Sequence, residues 1–273
     1  MLKQRVITAA VGVPLIILAI WFGDPWFTLL VAAVTLLGTL EFYRLVGNSS
    51  RRCPLTYFGL VWALALVLNP HYQNISILNV AALPVVMTLP ILISLIWLLC
   101  CSPQEKAFYN WAWTAAGALY VGWMLSFWLN LRILESGKDW VYLALFTTFA
   151  NDTGAFFTGR AWGKHKLTST ISPGKTWEGA IGGLLSSIVV VVAISRIPAL
   201  FSSSPFGCWQ VVLLAFLVSL FAQLGDLVES LLKRNMGVKE SGKLLPGHGG
   251  ILDRFDSLIF VGPVVYYYAI WMM

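Results

Sequence analysis

Asp226, Glu229 and Lys233 follow i, i+3, i+7 spacing, so on a helix they share one face, with Ser230 and Arg234 beside it. Asp253 and Asp256 stand one helical turn apart at the start of the next apolar stretch. The 27 positions from 230 to 256, SLLKRNMGVKESGKLLPGHGGILDRFD, carry Lys233, Arg234, Lys239, Lys243, Arg254 and His248 among glycines. Oxygen-only ligands suit a hard cation, and Mg²⁺ is usually held by one or two carboxylates plus substrate phosphates. Lys175 and the five cations of this segment fit the other half of that arrangement, because ammonium and guanidinium groups clamp phosphate oxygens, arginine bidentately. Gly247, Gly249 and Gly250 let backbone approach a polyphosphate just before a helix N-terminus, whose dipole favours anions. The chemistry indicated is phosphoryl or nucleotidyl transfer.

These polar groups sit in a chain that is 58% hydrophobic and only 11% charged, with mean hydropathy +0.78. Soluble domains are about a quarter charged. The composition predicts an all-α, polytopic integral membrane protein with about nine transmembrane helices and its site at the cytoplasmic side. Spans need about 20 apolar residues, and stretches are read at 6 to 23, 25 to 46, 54 to 69, 79 to 101, 109 to 134, 139 to 160, 178 to 198, 208 to 234 and 252 to 272. Long, unalternating apolar runs favour helices over barrel strands. Net charge +6 does not indicate nucleic acid, because the cations report topology instead. With a cytoplasmic amino terminus, all of the 18 Lys and Arg except Arg132, Lys138 and Arg196 fall on the cytoplasmic side, as the positive-inside rule expects. Lys3 and Arg5 before an apolar run resemble a signal peptide, but no small-residue cleavage site follows, so an uncleaved first span is expected. Cys53, Cys100, Cys101 and Cys208 lack C-x-x-C spacing and read as reduced thiols. The three histidines form no H-E-x-x-H pattern, which disfavours a zinc hydrolase.

Two regions of one continuous membrane domain are expected. Residues 1 to 105 hold few polar groups within their spans and read as scaffold, with Glu41 and Arg44 an i,i+3 pair on one helix. Residues 106 to 273 read as the catalytic region, with Asp152, Asp226 and Glu229 inside spans and Glu178, Asp253 and Asp256 at span starts. A carboxylate at the bilayer centre costs about 2.5 to 3.5 kcal/mol and marks function by default. Any one of these acids could be a paired structural group, but their common depth singles out the set. Asp226 precedes Lys233, and Asp152 precedes Arg160, by about 10 and 12 Å at 1.5 Å per residue. Both acids therefore lie shallow, at the level of lipid headgroups, which makes the acceptor a lipid. A second polar loop, RAWGKHKLTSTISPGKTWEG at 160 to 179, faces the same compartment. Its Gly-Lys-Thr is not a P-loop, since Ser169 stands where that motif needs glycine and no strand precedes it. Ser172, Pro173, Lys175 and Glu178 still supply a hydroxyl, a rigid turn, a phosphate-binding cation and a helix-start acid. Gly179 and Gly183 form a small-xxx-small pair suited to close helix packing.

The runs SLLKR, KESGK and LPGHGGILDRFD resemble the signature of the phosphatidate cytidylyltransferases, with SPGKTWEG at 172 to 179 and NDTGAFFTG at 151 to 159 matching that family's upstream segments. The likeness covers residues 110 to 273 well and the first third only as generic membrane helices. One departure is Glu240, where the family usually shows aspartate, and this weakens any direct metal role for Glu240. The resemblance implies transfer of CMP from CTP to phosphatidic acid, giving CDP-diacylglycerol and pyrophosphate with Mg²⁺. It implies Asp226 and Asp253 as leading metal ligands, with Asp256 and Asp152 near the same centre. Lys233, Arg234, Lys239, Lys243 and Arg254 would hold triphosphate or lipid phosphate, helped by Ser172, Lys175, Glu178, Ser230, Gly249 and Gly250. His248 would position the leaving pyrophosphate or stabilise its own loop. A homodimer, a second, monovalent cation and a bacterial inner-membrane location are further implications.

Two rival readings have their own signatures. An ion-coupled transporter also uses intramembrane acids, but usually shows two related halves and midplane sites, whereas here the halves differ and the acids are shallow. A CTP-dependent lipid kinase would release CDP rather than pyrophosphate.

Overall fold

The computed structural model describes residues 2–50, 55–72, 82–100, 107–196, 207–244, 247 and 249–272. Among these the chain is helical apart from one small hairpin. The helices are α1 (Leu2–Phe22), α2 (Trp26–Ser50), α3 (Thr56–Tyr72), α4 (Ala82–Cys100), α5 (Ala107–Gly117), α6 (Met124–Ile133), α7 (Gly137–Trp162), α8 (Trp177–Ser195), α9 (Cys208–Asn235) and α10 (Leu252–Met272). A π-helical turn, Ala118–Trp123, joins α5 to α6, so the expected span at 109 to 134 is one rod. The nine rods coincide with the nine apolar stretches to within a few residues at most ends.

Among the described residues, five helices are long and apolar enough to cross a membrane, at Trp26–Gly47, Ala82–Leu99, Trp177–Ser195, Trp209–Asn235 and Leu252–Met272, with a shorter apolar segment at Ala10–Phe22. The protein is thus a polytopic membrane protein. On α8, Ile181, Leu185 and Val189 are 57%, 59% and 66% exposed, a stripe at i, i+4, i+8 that suits lipid contact.

The expectation of helices alone missed a hairpin. β1 (Lys166–Thr168) pairs antiparallel with β2 (Ser172–Thr176), in register Lys166 with Thr176 and Thr168 with Ser172. Thr168, Thr170, Ile171 and Thr176 are β-branched and favour extended backbone. The chain then enters α8 through Thr176, whose Oγ1 caps the helix by accepting from the Gly179 amide.

The chain forms two compact units. The first comprises 1–130 with 235–254, and its core includes Trp62, Ala63, Leu66 and Ala118. A Cβ on Gly122 of the π-helical turn would lie 2.6 Å from the Ala63 Cα, so α3 meets that turn backbone to backbone. The second unit comprises 131–234 with 255–273. There α8 packs closely on α7, and a Cβ on Gly183 would lie 2.6 Å from Asn151 Oδ1. Helices gain little by the hydrophobic effect within lipid, so small residues and polar contacts hold them together. Asn151 is fully buried. Its Oδ1 accepts from Ser219 Oγ at 2.7 Å and Gln223 Nε2 at 3.3 Å, tying α7 to α9.

Candidate active site

In the second unit the face of α9 that carries Asp226, Glu229, Ser230 and Lys233 meets α10. Gly225 permits the approach, because a Cβ there would stand 2.6 Å from the Asp256 carbonyl oxygen. One carboxylate oxygen from each of Asp226, Glu229 and Asp256 then lies within 4.8 Å of the others. Among the described residues this is the group of acids that could share a metal ion.

Cations and donors surround the group. Lys175 Nζ lies 2.8 Å from Asp226 Oδ2 and also donates to the Gln223 carbonyl at 3.2 Å. Ser230 Oγ donates to Asp226 Oδ1 at 3.2 Å. Glu229 is fully buried and accepts from Lys233 Nζ at 2.7 Å, one turn along the same helix. Asp226, Asp152 and Lys233 are charged groups whose fields act on Asp256. Two ammonium groups thus face three carboxylates, leaving negative charge that a divalent cation would neutralise. The donor set is all oxygen, and the spacing lets one hard cation be reached by small side-chain rotations, so the residues fit Mg²⁺.

The hairpin positions Lys175. The Glu178 carboxylate accepts from the amides of Lys164 and His165 at 3.1 and 3.2 Å and lies 2.7 Å from His165 Nδ1. Arg234 Nε donates to the Ile171 carbonyl at 3.3 Å. Glu178, expected to bind substrate, is therefore occupied in closing its own loop, and Arg234 braces the hairpin from α9. Ser172 is half-buried on β2. Asp152 is exposed on α7 and accepts from Asn151 Nδ2 at 3.1 Å.

In the first unit, Asp253 has a different set of partners. Its Oδ2 accepts from the Ser241 amide at 2.8 Å, Ser241 Oγ at 2.9 Å and the Gly250 amide at 2.8 Å. Gly249 adopts φ +84° and would place a Cβ 2.7 Å from that oxygen, so only glycine fits without strain. Lys239, Lys243, Arg254 and Glu240 are exposed. His248 lies outside the described residues.

Two acids were missed as site residues. Glu229 shares the face of Asp226, a signal present in the spacing, but was not assigned as a ligand. Glu41 gave no local signal. Glu41 and Arg44, expected as an i,i+3 pair, are joined by no ion pair among the described residues. Glu41 Oε2 instead accepts from the Leu252 amide at 2.9 Å and lies 3.3 Å from Ser241 Oγ, whose one hydrogen it shares with Asp253 Oδ2. Residue 41 thereby links to Ser241 and Leu252, across 200 and 211 positions of sequence.

This acid and cation arrangement occurs in a chain whose residues 3–272 match the model of the cytidylyltransferase family. A phosphatidate cytidylyltransferase of Bacillus subtilis (strain 168) is 32% identical over 272 residues, 97% of each chain. One of Staphylococcus haemolyticus (strain JCSC1435) is 33% identical over 264 residues, again 97% of each. One of Staphylococcus aureus (strain COL) is 37% identical over 215 residues, covering 76% of this chain and 77% of its own. A match along nearly the whole length, with the polar segments embedded in it, places the chain in the cytidylyltransferase family.

Proposed function

We infer that the protein transfers the cytidylyl group of CTP to phosphatidate, giving CDP-diacylglycerol and pyrophosphate for phospholipid biosynthesis. The observation that carries this reading is the Asp226, Glu229 and Asp256 group, with Lys175 and Lys233 against it. It is supported by the full-length likeness to phosphatidate cytidylyltransferases.

A phosphatidate oxygen attacks the α-phosphorus of CTP, the bond from that phosphorus to the β-phosphate's bridging oxygen breaks, and pyrophosphate leaves. The phosphate monoester is already largely ionised near neutral pH, since its second pKa is about 6. No strong general base is required. Asp226, Glu229 and Asp256, with Asp152 close by, would hold Mg²⁺, which when bound draws charge from the phosphate oxygens and orients them. Lys175 and Lys233 hold the carboxylates in place and offset their repulsion. Lys239, Lys243, Arg254 and the exposed side of Arg234 bind phosphate oxygens of CTP or lipid, with Ser172 and Ser230 as hydroxyl donors. Asp253 orders the loop through the Gly250 amide, and Gly249 beside it lets backbone approach the triphosphate. His248 positions the leaving pyrophosphate. The rate gain comes from alignment and charge stabilisation.

The same reading makes residues 106 to 273 catalytic and 1 to 105 scaffold. It sets the amino terminus and the site on the cytoplasmic side of a bacterial inner membrane, and includes a monovalent cation and a homodimer. Purified protein with radiolabelled CTP, Mg²⁺ and phosphatidate, each omitted in turn, tests the reaction. Pyrophosphate and CDP-diacylglycerol should form only in the complete mixture. Release of CDP with a phosphorylated lipid would instead identify a kinase.

A further inference from the structure

The first unit contains a cavity of about 650 Å³ between the carboxyl-terminal half of α2 and the loop that follows α9. Its walls differ from end to end. Arg44 lies three residues before the end of the membrane-spanning part of α2, Trp26–Gly47, at the level of lipid headgroups. Leu40 and Leu37 line the same cavity one and two turns deeper, about 6 and 10 Å along the helix. Opposite stand Val238, Lys243 and Leu244 of the loop. Arg44 is exposed, and among the described residues its guanidinium has no hydrogen-bond or ion-pair partner. Of the two acids in the lining, Glu41 is 5% exposed and turned to Leu252 and Ser241, so the charged groups exposed on the cavity are Arg44, Lys243 and Glu240.

We propose that this cavity holds the acceptor lipid, with Arg44 and Lys243 on its phosphate and the acyl chains descending past Leu40 and Leu37. The proposal rests on the transfer reaction inferred above and adds to it the subsite of the acceptor and a specificity residue, Arg44. A cationic rim over an apolar wall matches an amphiphile whose anionic head lies at the membrane surface. Pyrophosphate or the triphosphate of a nucleotide, polar on every side, would leave Leu37, Leu40 and Leu244 facing groups they cannot bury against. Arg44 offers a planar fork that grips a phosphate through two parallel hydrogen bonds, while Lys243 adds a mobile point charge.

The test is steady-state kinetics in mixed micelles, varying the mole fraction of phosphatidate at saturating CTP and then CTP at saturating phosphatidate. Arg44→Ala should raise KM for phosphatidate about tenfold and leave KM for CTP within about twofold, as for loss of one charge-assisted contact to a single substrate. Arg44→Lys should recover part of the loss. A phosphatidate KM that does not move, or a CTP KM that rises in step with it, overturns the proposal. Leu37→Trp narrows the deep end and should raise KM more for dioleoyl than for dihexanoyl phosphatidate; an equal change contradicts the chain path. Asp226→Asn serves as the separating control. Its loss of turnover tests the acidic group alone, so either reading can fail while the other stands.

Discussion

Among the described residues Glu229 is the most buried carboxylate, fully enclosed on a membrane helix. Removing one partner of a buried ion pair costs about 3 to 5 kcal/mol, because the other charge is left uncompensated. Lys233→Met should therefore lower thermal stability as well as turnover, read as a fall in melting temperature of the detergent-solubilised protein. Lys175 is different, since its partner Asp226 is partly exposed. Lys175→Met should spare stability and lower kcat about 10² to 10³-fold, the scale of losing one preorganised electrostatic group. Unchanged turnover in that variant would remove Lys175 from the site. At this scale the sequence was informative where groups lie on one helix. The i, i+3, i+7 spacing already placed Asp226, Glu229 and Lys233 together. It could not show that the Glu178 carboxylate and Asp253 Oδ2 accept from nearby amides, because those partners depend on how two loops close.

Among the elements, the approach of α9 to α10 creates the acidic group. Gly225→Ala places a methyl group against the Asp256 carbonyl, and overpacking of this kind costs about 1 to 3 kcal/mol. The helices would separate locally, so activity should fall while the protein still inserts; wild-type activity would show that the approach is not needed. The loop of the first unit depends on α2 in a similar way. Glu41→Ala removes the acceptor for the Leu252 amide and Ser241 Oγ, and each lost bond costs about 1 kcal/mol. Turnover should drop together with a fall of a few degrees in the melting temperature, and adding Ser241→Ala should cost less than the separate effects combined. Helices were legible because a run of about 20 apolar residues has few other solutions in lipid. The hairpin was not, because strands of three and five residues carry too little periodic signal to separate from a turn. The link from Glu41 to residue 252 was illegible for a related reason: no local pattern encodes a contact spanning 211 positions.

For the whole molecule, the apolar composition required helices in a membrane, and the polar segments located the chemistry between and beside them. Only part of the span count is visible in hydropathy. α7 carries Asn151, Asp152, Thr147, Thr148, Thr153 and Thr158 in its central stretch, and α3 is 17 residues long, so neither qualifies alone even though both are full helices. In each case polar groups that serve packing or chemistry dilute the membrane signal. The central claim is that Asp226, Glu229 and Asp256 together hold the divalent ion on which cytidylyl transfer depends. Its most direct test is the Mg²⁺ dependence of CDP-diacylglycerol formation in the wild type and in Asp256→Asn, at saturating CTP and phosphatidate. The variant is expected to need at least about tenfold more Mg²⁺ for half-maximal rate, as for disruption of a metal site, with a lower plateau. A variant with the same Mg²⁺ requirement and the same plateau as the wild type would contradict the claim.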